Sequence, residues 1–228
     1  MSDPSRQASG PTIDEVVVAD EPGSWERAGF SVDDDGSCRV GSVRIRLVGR
    51  ERGKRILDWS LRDADRAGIL DDGIDGLATR VSLEPPCAPA AHPNGVYALD
   101  HIVLITPNQQ RTVAALEGAG MVARRTRETD TYGAPFLQTF FRAAEVIVEL
   151  IGPEEPSDDG PARFFGLAYS VDDLDAAKAS LGDGLGEPKA AVQPGRRIAT
   201  LRHKTFDISV ATAFMTPGPN ALEARLDG

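Results

Sequence analysis

The chain has 228 residues, 41% of them hydrophobic, with a formal net charge of −10 and a pI near 4.8. That apolar share can bury a core. The acidic balance argues against nonspecific binding to nucleic acid or to an anionic membrane, since both need a basic face. No apolar run approaches the roughly 18 residues of a membrane span, and the polar start MSDPSRQASGPT has no signal-type apolar core. A cytoplasmic protein with no nucleic-acid and no membrane partner is expected.

Residues 1–11 are expected to be a disordered N-terminus, and residues 12–63 a compressed first structural unit. This unit opens on IDEVVVADEPGSWERAGF (13–30), a short apolar strand followed by a helix with Pro near its start. GSVRIRLVG (41–49) reads as a later strand, and RILDWSLRD (55–63) as one more. Residues 64–97 hold DDGIDG and EPPCAPAAHPNG and read as a Pro/Gly-rich linker in which His92 is exposed. Cys38 and Cys87 lack metal-type spacing and are expected to be reduced thiols.

The same pattern returns in LDHIVLITPNQQRTVAALEGAGM (99–121), where Thr106 before Pro107 reads as a helix N-cap. Three strand segments follow: VARRTRE, PFLQTFFRA and AEVIVELIG. A third copy begins at FFGLAYSVDDLDAAKASLGDGL (164–185), with Leu174, Ala177 and Leu181 on one helical face. It continues through EPKAAVQ and RRIATLRH to SVATAFMTP, and residues 218–228 read as a tail. The repeated order is strand, helix, strand, strand, strand. The expected fold class is therefore α+β, with βαβββ units forming curled mixed sheets around a cleft. Units 98–153 and 162–217 are joined by a short link and are expected to pair within the chain. The first copy is then left to cap the cleft or to meet its counterpart in a homodimer.

In its LDHIVL and AYSVDDLDAA openings, its EVIVELIGP ending and this ordered recurrence, the chain resembles the vicinal oxygen chelate superfamily. That group includes glyoxalase I, bleomycin-resistance proteins and extradiol dioxygenases. The resemblance implies a small-molecule ligand held in a cleft, and metal ligands on the first and last strands of each unit. It places His101 and Glu149 in ligand positions of the second copy. The first copy has Glu15 and Arg46 at the matching places, and the third has Gly166 and Ala213.

Three readings of His101 and Glu149 stand open. They form a hydrogen-bonded pair in a metal-free cleft, or they ligate one divalent ion (Zn, Ni, Mn or Fe) completed by substrate, water or a residue of another copy or subunit such as Glu15, or they do acid–base chemistry without metal. Polar residues on otherwise apolar strand faces need partners in all three cases. Phe141 and Gln138, beside Phe136 and Phe140, are candidate ligand contacts, as are Arg46 and Arg197. Arg196, Arg202 and His203 flank Arg197 and suit an anion or a solvated edge equally. Two functions from different classes follow. One is a glyoxalase-like enzyme, with metal-assisted lyase, isomerase or dioxygenase chemistry on a small organic molecule. The other is a metal-free protein that binds or sequesters such a molecule without turnover.

Overall fold

The computed structural model describes residues 10–71, 73–129 and 135–218. The expected disordered start (apart from residues 10 and 11) and the tail after residue 218 lie outside these described residues. In chain order the elements are β1 (Thr12–Val18), α1 (Pro22–Arg27), β2 (Ser37–Val40), β3 (Val43–Leu47), β4 (Ile56–Arg62), β5 (Thr79–Val81) and β6 (Val96–Ile105). There follow α2 (Gln109–Gly118), β7 (Ala123–Thr129), β8 (Phe136–Ala143) and β9 (Val146–Gly152). The last are β10 (Arg163–Val171), α3 (Leu174–Leu181), β11 (Lys189–Ala190), β12 (Arg197–Thr200) and β13 (Ala211–Met215). The class is α+β with mixed sheets, as expected.

Two sheets form, with strand orders β2-β3-β1-β4-β5 and β11-β12-β13-β10-β6-β9-β8-β7. The second sheet holds two complete βαβββ repeats, each contributing its first strand to the central β10-β6 pair. The first sheet reproduces, in order, the five consecutive strands β8-β9-β6-β10-β13 of the second. β4 runs parallel to β5 as β10 runs parallel to β13. Residues 64–97 are thus more than a linker. They supply β5, and Ile74 and Leu77 are each only 1% exposed. Apolar side chains spaced through a Pro/Gly-rich stretch still find a core, because burial depends on side-chain chemistry more than on local stiffness. His92 is likewise buried and not exposed. Its Nδ1 accepts from the Ser31 amide at 3.0 Å, and its other ring nitrogen meets the Arg39 carbonyl at 3.2 Å. Burial holds its pKa below the usual histidine value.

By contacts the chain divides into two units. One comprises Met1–Glu15, Asp58–Pro85 and Ile102–Phe164; the other comprises Val16–Leu57, Pro86–His101 and Phe165–Gly228. In the first, β9 alternates strictly between buried and half-buried residues. That period places Val148 and Leu150 in the core and Ile147, Glu149 and Ile151 on the open face. Asn108, not Thr106, caps α2, accepting from the Arg111 amide at 3.1 Å. Thr106 instead accepts from the Asn108 amide at 3.0 Å, two residues ahead of the cap. Gly152 ends β9 where a Cβ would lie 2.7 Å from Gln109 Oε1, so the helix start can press against the strand end.

In the second unit, an aromatic cluster of Trp25, Phe30, Tyr169 and Phe214 packs edge-on, with centroids 5.0–6.3 Å apart. Asp173 caps α3 by accepting from the amides of Asp175 and Ala176, both at 2.9 Å. Of the face expected from its spacing the helix buries Leu174 and Ala177, while Leu181 is half-buried.

Candidate functional site

His101 sits near the middle of β6, with its side chain 15% exposed. Its Nδ1 lies 2.9 Å from Asp100 Oδ1. Asp100 is held in turn by the Arg196 guanidinium and by Ser170 Oγ, which donates at 3.0 Å. Arg196 is itself fixed by donating its Nε to the Thr216 carbonyl at 2.8 Å. Burial alone would raise the Asp100 pKa. The hydrogen bonds and charges of His101 and Arg196 outweigh it and bring the carboxyl down to about 2. An ionised Asp100 accepts a proton bond from Nδ1–H, which leaves the basic lone pair on Nε2.

Glu149 belongs to the other unit, on the open face of β9. Gln138 Nε2 donates to its Oε1 at 2.7 Å, and Arg127 Nε donates to Gln138 Oε1 at 2.7 Å. The strand register explains this chain. Arg127 stands opposite Gln138, which stands opposite Ile151, while Phe140 stands opposite Glu149. Directly paired residues share a face. Arg127 also lies over the Phe140 ring, 5.4 Å from its centroid.

The remaining expected site residues engage partners of their own. Phe141 is on the opposite face, 1% exposed, in register with Val148. It is a core residue, because odd and even positions of β8 face different ways and the aromatic composition of FLQTFFRA conceals which is which. Arg197 makes a two-point pair with Asp175 at 2.6 and 2.9 Å on the exposed surface. Its neighbour Arg196 turns inward instead. Arg46 on β3 pairs with Asp35 at 3.7 Å. Glu15 on β1 receives Arg80 Nη2 at 3.2 Å, and Arg80 also holds Asp58 at 2.6 Å.

Among the described residues no three or more His, Cys, Asp or Glu side chains gather closely enough to hold an ion. Catalytic zinc-type sites take three protein donors, and the guanidinium of Arg80 already sits on Glu15. Gly166, at the position matching His101 in the third copy, has no room for a side chain, since a Cβ there would meet Ala211 O at 2.6 Å.

Asp100 and Arg196 are the residues that sequence reasoning passed over or ranked low. A signal was present: IDEVVV and LDHIVL share their Asp as well as their apolar frame. Asp14 indeed repeats the arrangement of Asp100. It is 3% exposed and accepts from Arg62, from Ser60 Oγ at 3.4 Å and from Ser82 Oγ at 2.5 Å. Ser60 on β4 and Ser170 on β10 occupy like positions beside their parallel partners.

With its βαβββ repeats this chain shares the vicinal oxygen chelate class of fold. Residues 100–200 match the family described as Glyoxalase/Bleomycin resistance protein/Dioxygenase superfamily. No match was found among curated proteins. Among solved structures, a 4-hydroxymandelate synthase mutant from Streptomyces coelicolor aligns at 13% identity and TM-score 0.59, covering 91% of this chain and 93% of that one. A homoprotocatechuate 2,3-dioxygenase variant from B. fuscum aligns at 13% identity and TM-score 0.58, covering 94% and 74%. Methylmalonyl-CoA epimerase from Mycobacterium tuberculosis aligns at 18% identity and TM-score 0.44, covering 57% and 93%.

Proposed function

We propose that the protein binds a small organic molecule and moves a proton on it, with His101 Nε2 as the proton acceptor. The observation behind this reading is the Arg196–Asp100–His101 arrangement, in which a buried, ionised carboxylate orients an imidazole. A proton leaving a carbon or oxygen acid passes to Nε2, and the imidazolium formed is stabilised by the Asp100 carboxylate. Glu149, held by Gln138, is the second candidate base. No step is routed through a metal in this reading, which rests on the Asp100–His101 pair alone.

The test is solvent exchange. α-Hydroxythioesters and catechols are incubated with the untagged protein in D2O, and loss of substrate C–H or altered product is followed by proton NMR. Turnover in the parent that falls at least ~100-fold in His101→Ala supports the assignment. Unchanged turnover in that variant removes His101 from the chemistry. Metal content is measured on the same samples and on Glu149→Ala. Near-stoichiometric metal lost in that variant would overturn the metal-free reading.

A second reading, binding without turnover, is favoured by the emptied third-copy positions Gly166 and Ala213. Saturable binding with no exchange across the panel selects it. The homodimer expected from the odd repeat is likewise proposed, and a monomeric mass by light scattering removes it.

A further inference from the structure

We propose that residues 86–93 form an acid-released strap along the outer edge of β2, with the His92 imidazole as its latch. The inference goes beyond the proton-transfer reading and stands on residues that take no part in it.

β2 ends its sheet, so among the described residues its outer edge has no strand beside it. An open edge invites strand addition unless something covers it. The stretch PCAPAAHP (86–93) lies against this one. Ala90 donates its amide to the Arg39 carbonyl at 3.0 Å, and Arg39 Nη1 returns a bond to the Ala88 carbonyl at 3.0 Å. Pro86, Pro89 and Pro93 bring no amide donor, so the stretch cannot pair as a full strand. Side chains supply what the backbone lacks. Ser31 Oγ donates to the Ala91 carbonyl at 2.7 Å, and the Ser31 amide donates to His92 Nδ1 at 3.0 Å. His92 Nε2 meets the same Arg39 carbonyl at 3.2 Å.

These two ring contacts fix the charge state of the latch. A backbone amide only donates, so Nδ1 is bare; a carbonyl only accepts, so Nε2 carries the hydrogen. The imidazole is therefore neutral while the strap is closed. A second proton has only Nδ1 to go to. There it would point at the Ser31 N–H, setting donor against donor at a residue that is 7% exposed. The charged groups facing the ring are Arg39 from β2 and Asp33 from the turn before it. They are paired with each other at 2.7 Å and act on the ring with opposite sign. Phe30 packs edge-on against the ring at 5.6 Å and brings no charge. Burial is the largest influence and holds the imidazole below its ordinary 6.5. The released ring thus takes a proton more readily than the latched one. Closure is favoured above pH ~6.5 and is lost as the pH falls below it.

Asn94 limits what is released. It is 1% exposed. Its amide donates to the Gly29 carbonyl at 3.0 Å and its side chain to the Ala28 carbonyl at 2.9 Å. It also accepts from the Val96 amide at 3.0 Å, where β6 begins. None of these bonds uses His92. Release therefore stops at Asn94, short of the strand that carries His101.

Native-state hydrogen exchange on the full chain, followed by NMR at about pH 5.5 and 7.5 and corrected for intrinsic rates, tests the strap. The amides of Ser31 and Ala90 report the strap, and those of Asn94 and Val96 report the anchor. Protection at Ser31 and Ala90 is expected to fall at least ~3-fold between the higher and the lower pH, with the anchor unchanged. His92→Asn keeps an acceptor near the Nδ1 position and takes no proton, so its strap protection should not respond to pH. In the parent the His92 ring should titrate below 6.5, with the Ser31 amide shift following the same midpoint. Strap protection that ignores pH in the parent, an equal fall at strap and anchor, or the same fall in His92→Asn overturns the proposal. Should the variant not fold, the ring titration and the contrast between strap and anchor in the parent decide.

Discussion

His101 Nδ1 and Asp100 Oδ1, on adjacent residues of one strand, lie 2.9 Å apart, and Arg196 closes the far side of the same carboxylate. The arrangement fixes which imidazole nitrogen carries the proton. At pH 8 the long-range nitrogen–proton NMR spectrum of His101 should show a protonated Nδ1 and a bare Nε2. Asp100→Ala should lose that preference. A protonated Nε2 in the parent would sink the assigned role.

Asp100 also predicts an acid dependence. Its folded pKa, about 2, lies below the ordinary 3.8. The stability it contributes is therefore fully present above pH ~4 and lost as pH falls through about 2. The shift corresponds to about 2 kcal/mol. Urea unfolding should show Asp100→Asn weaker than the parent by that amount at pH 7 and near parity at pH 2. An equal gap at both would place the loss in packing and not in charge.

Two arginine–carboxylate pairs of the first unit should behave differently. Arg62 and Asp14 have side chains 10% and 4% exposed, whereas Arg80, on Glu15, is 55% exposed. Arg62→Ala leaves a buried carboxylate short of its main partner and should cost about 3 kcal/mol or more. Arg80→Ala should cost under ~1 kcal/mol, because water screens it. Chemical denaturation of the two variants distinguishes them, and equal losses would contradict the burial argument.

Neighbouring phenylalanines give a third contrast. Phe141→Ala should cost about 3–5 kcal/mol, as deletion of a core ring does. Phe140→Ala, on the half-buried face, should cost clearly less while weakening ligand binding. The reverse order would mean that the two faces of β8 had been assigned the wrong way round.

Gly166 yields the last. Any side chain there meets the Ala211 carbonyl, 2.6 Å from an ideal Cβ. Gly166→Ala should lower stability by roughly 1–3 kcal/mol, and the larger side chain of Gly166→His should cost more. A stable Gly166→His protein would show that β10 and β13 can part at little cost.

The sequence by itself determined the repeat, the order of strands and helices within the second and third copies, and the shared face of Ile147, Glu149 and Ile151. Those follow from local periodicity, since alternation along EVIVELIG needs no knowledge of any partner. Periodicity also left Phe140 and Phe141 indistinguishable by composition, and only strand register separated core from surface. Tertiary structure alone decided which charges meet. Asp100 reaches Arg196 across 96 positions and Glu15 reaches Arg80 across 65, through strand neighbours that no local pattern names. Arg196 and Arg197 are chemically identical and adjacent in sequence, yet one is buried against Asp100 and the other is spent on an exposed helix start. A buried charge must be paired wherever the fold provides a partner, and long-range strand order chooses that partner.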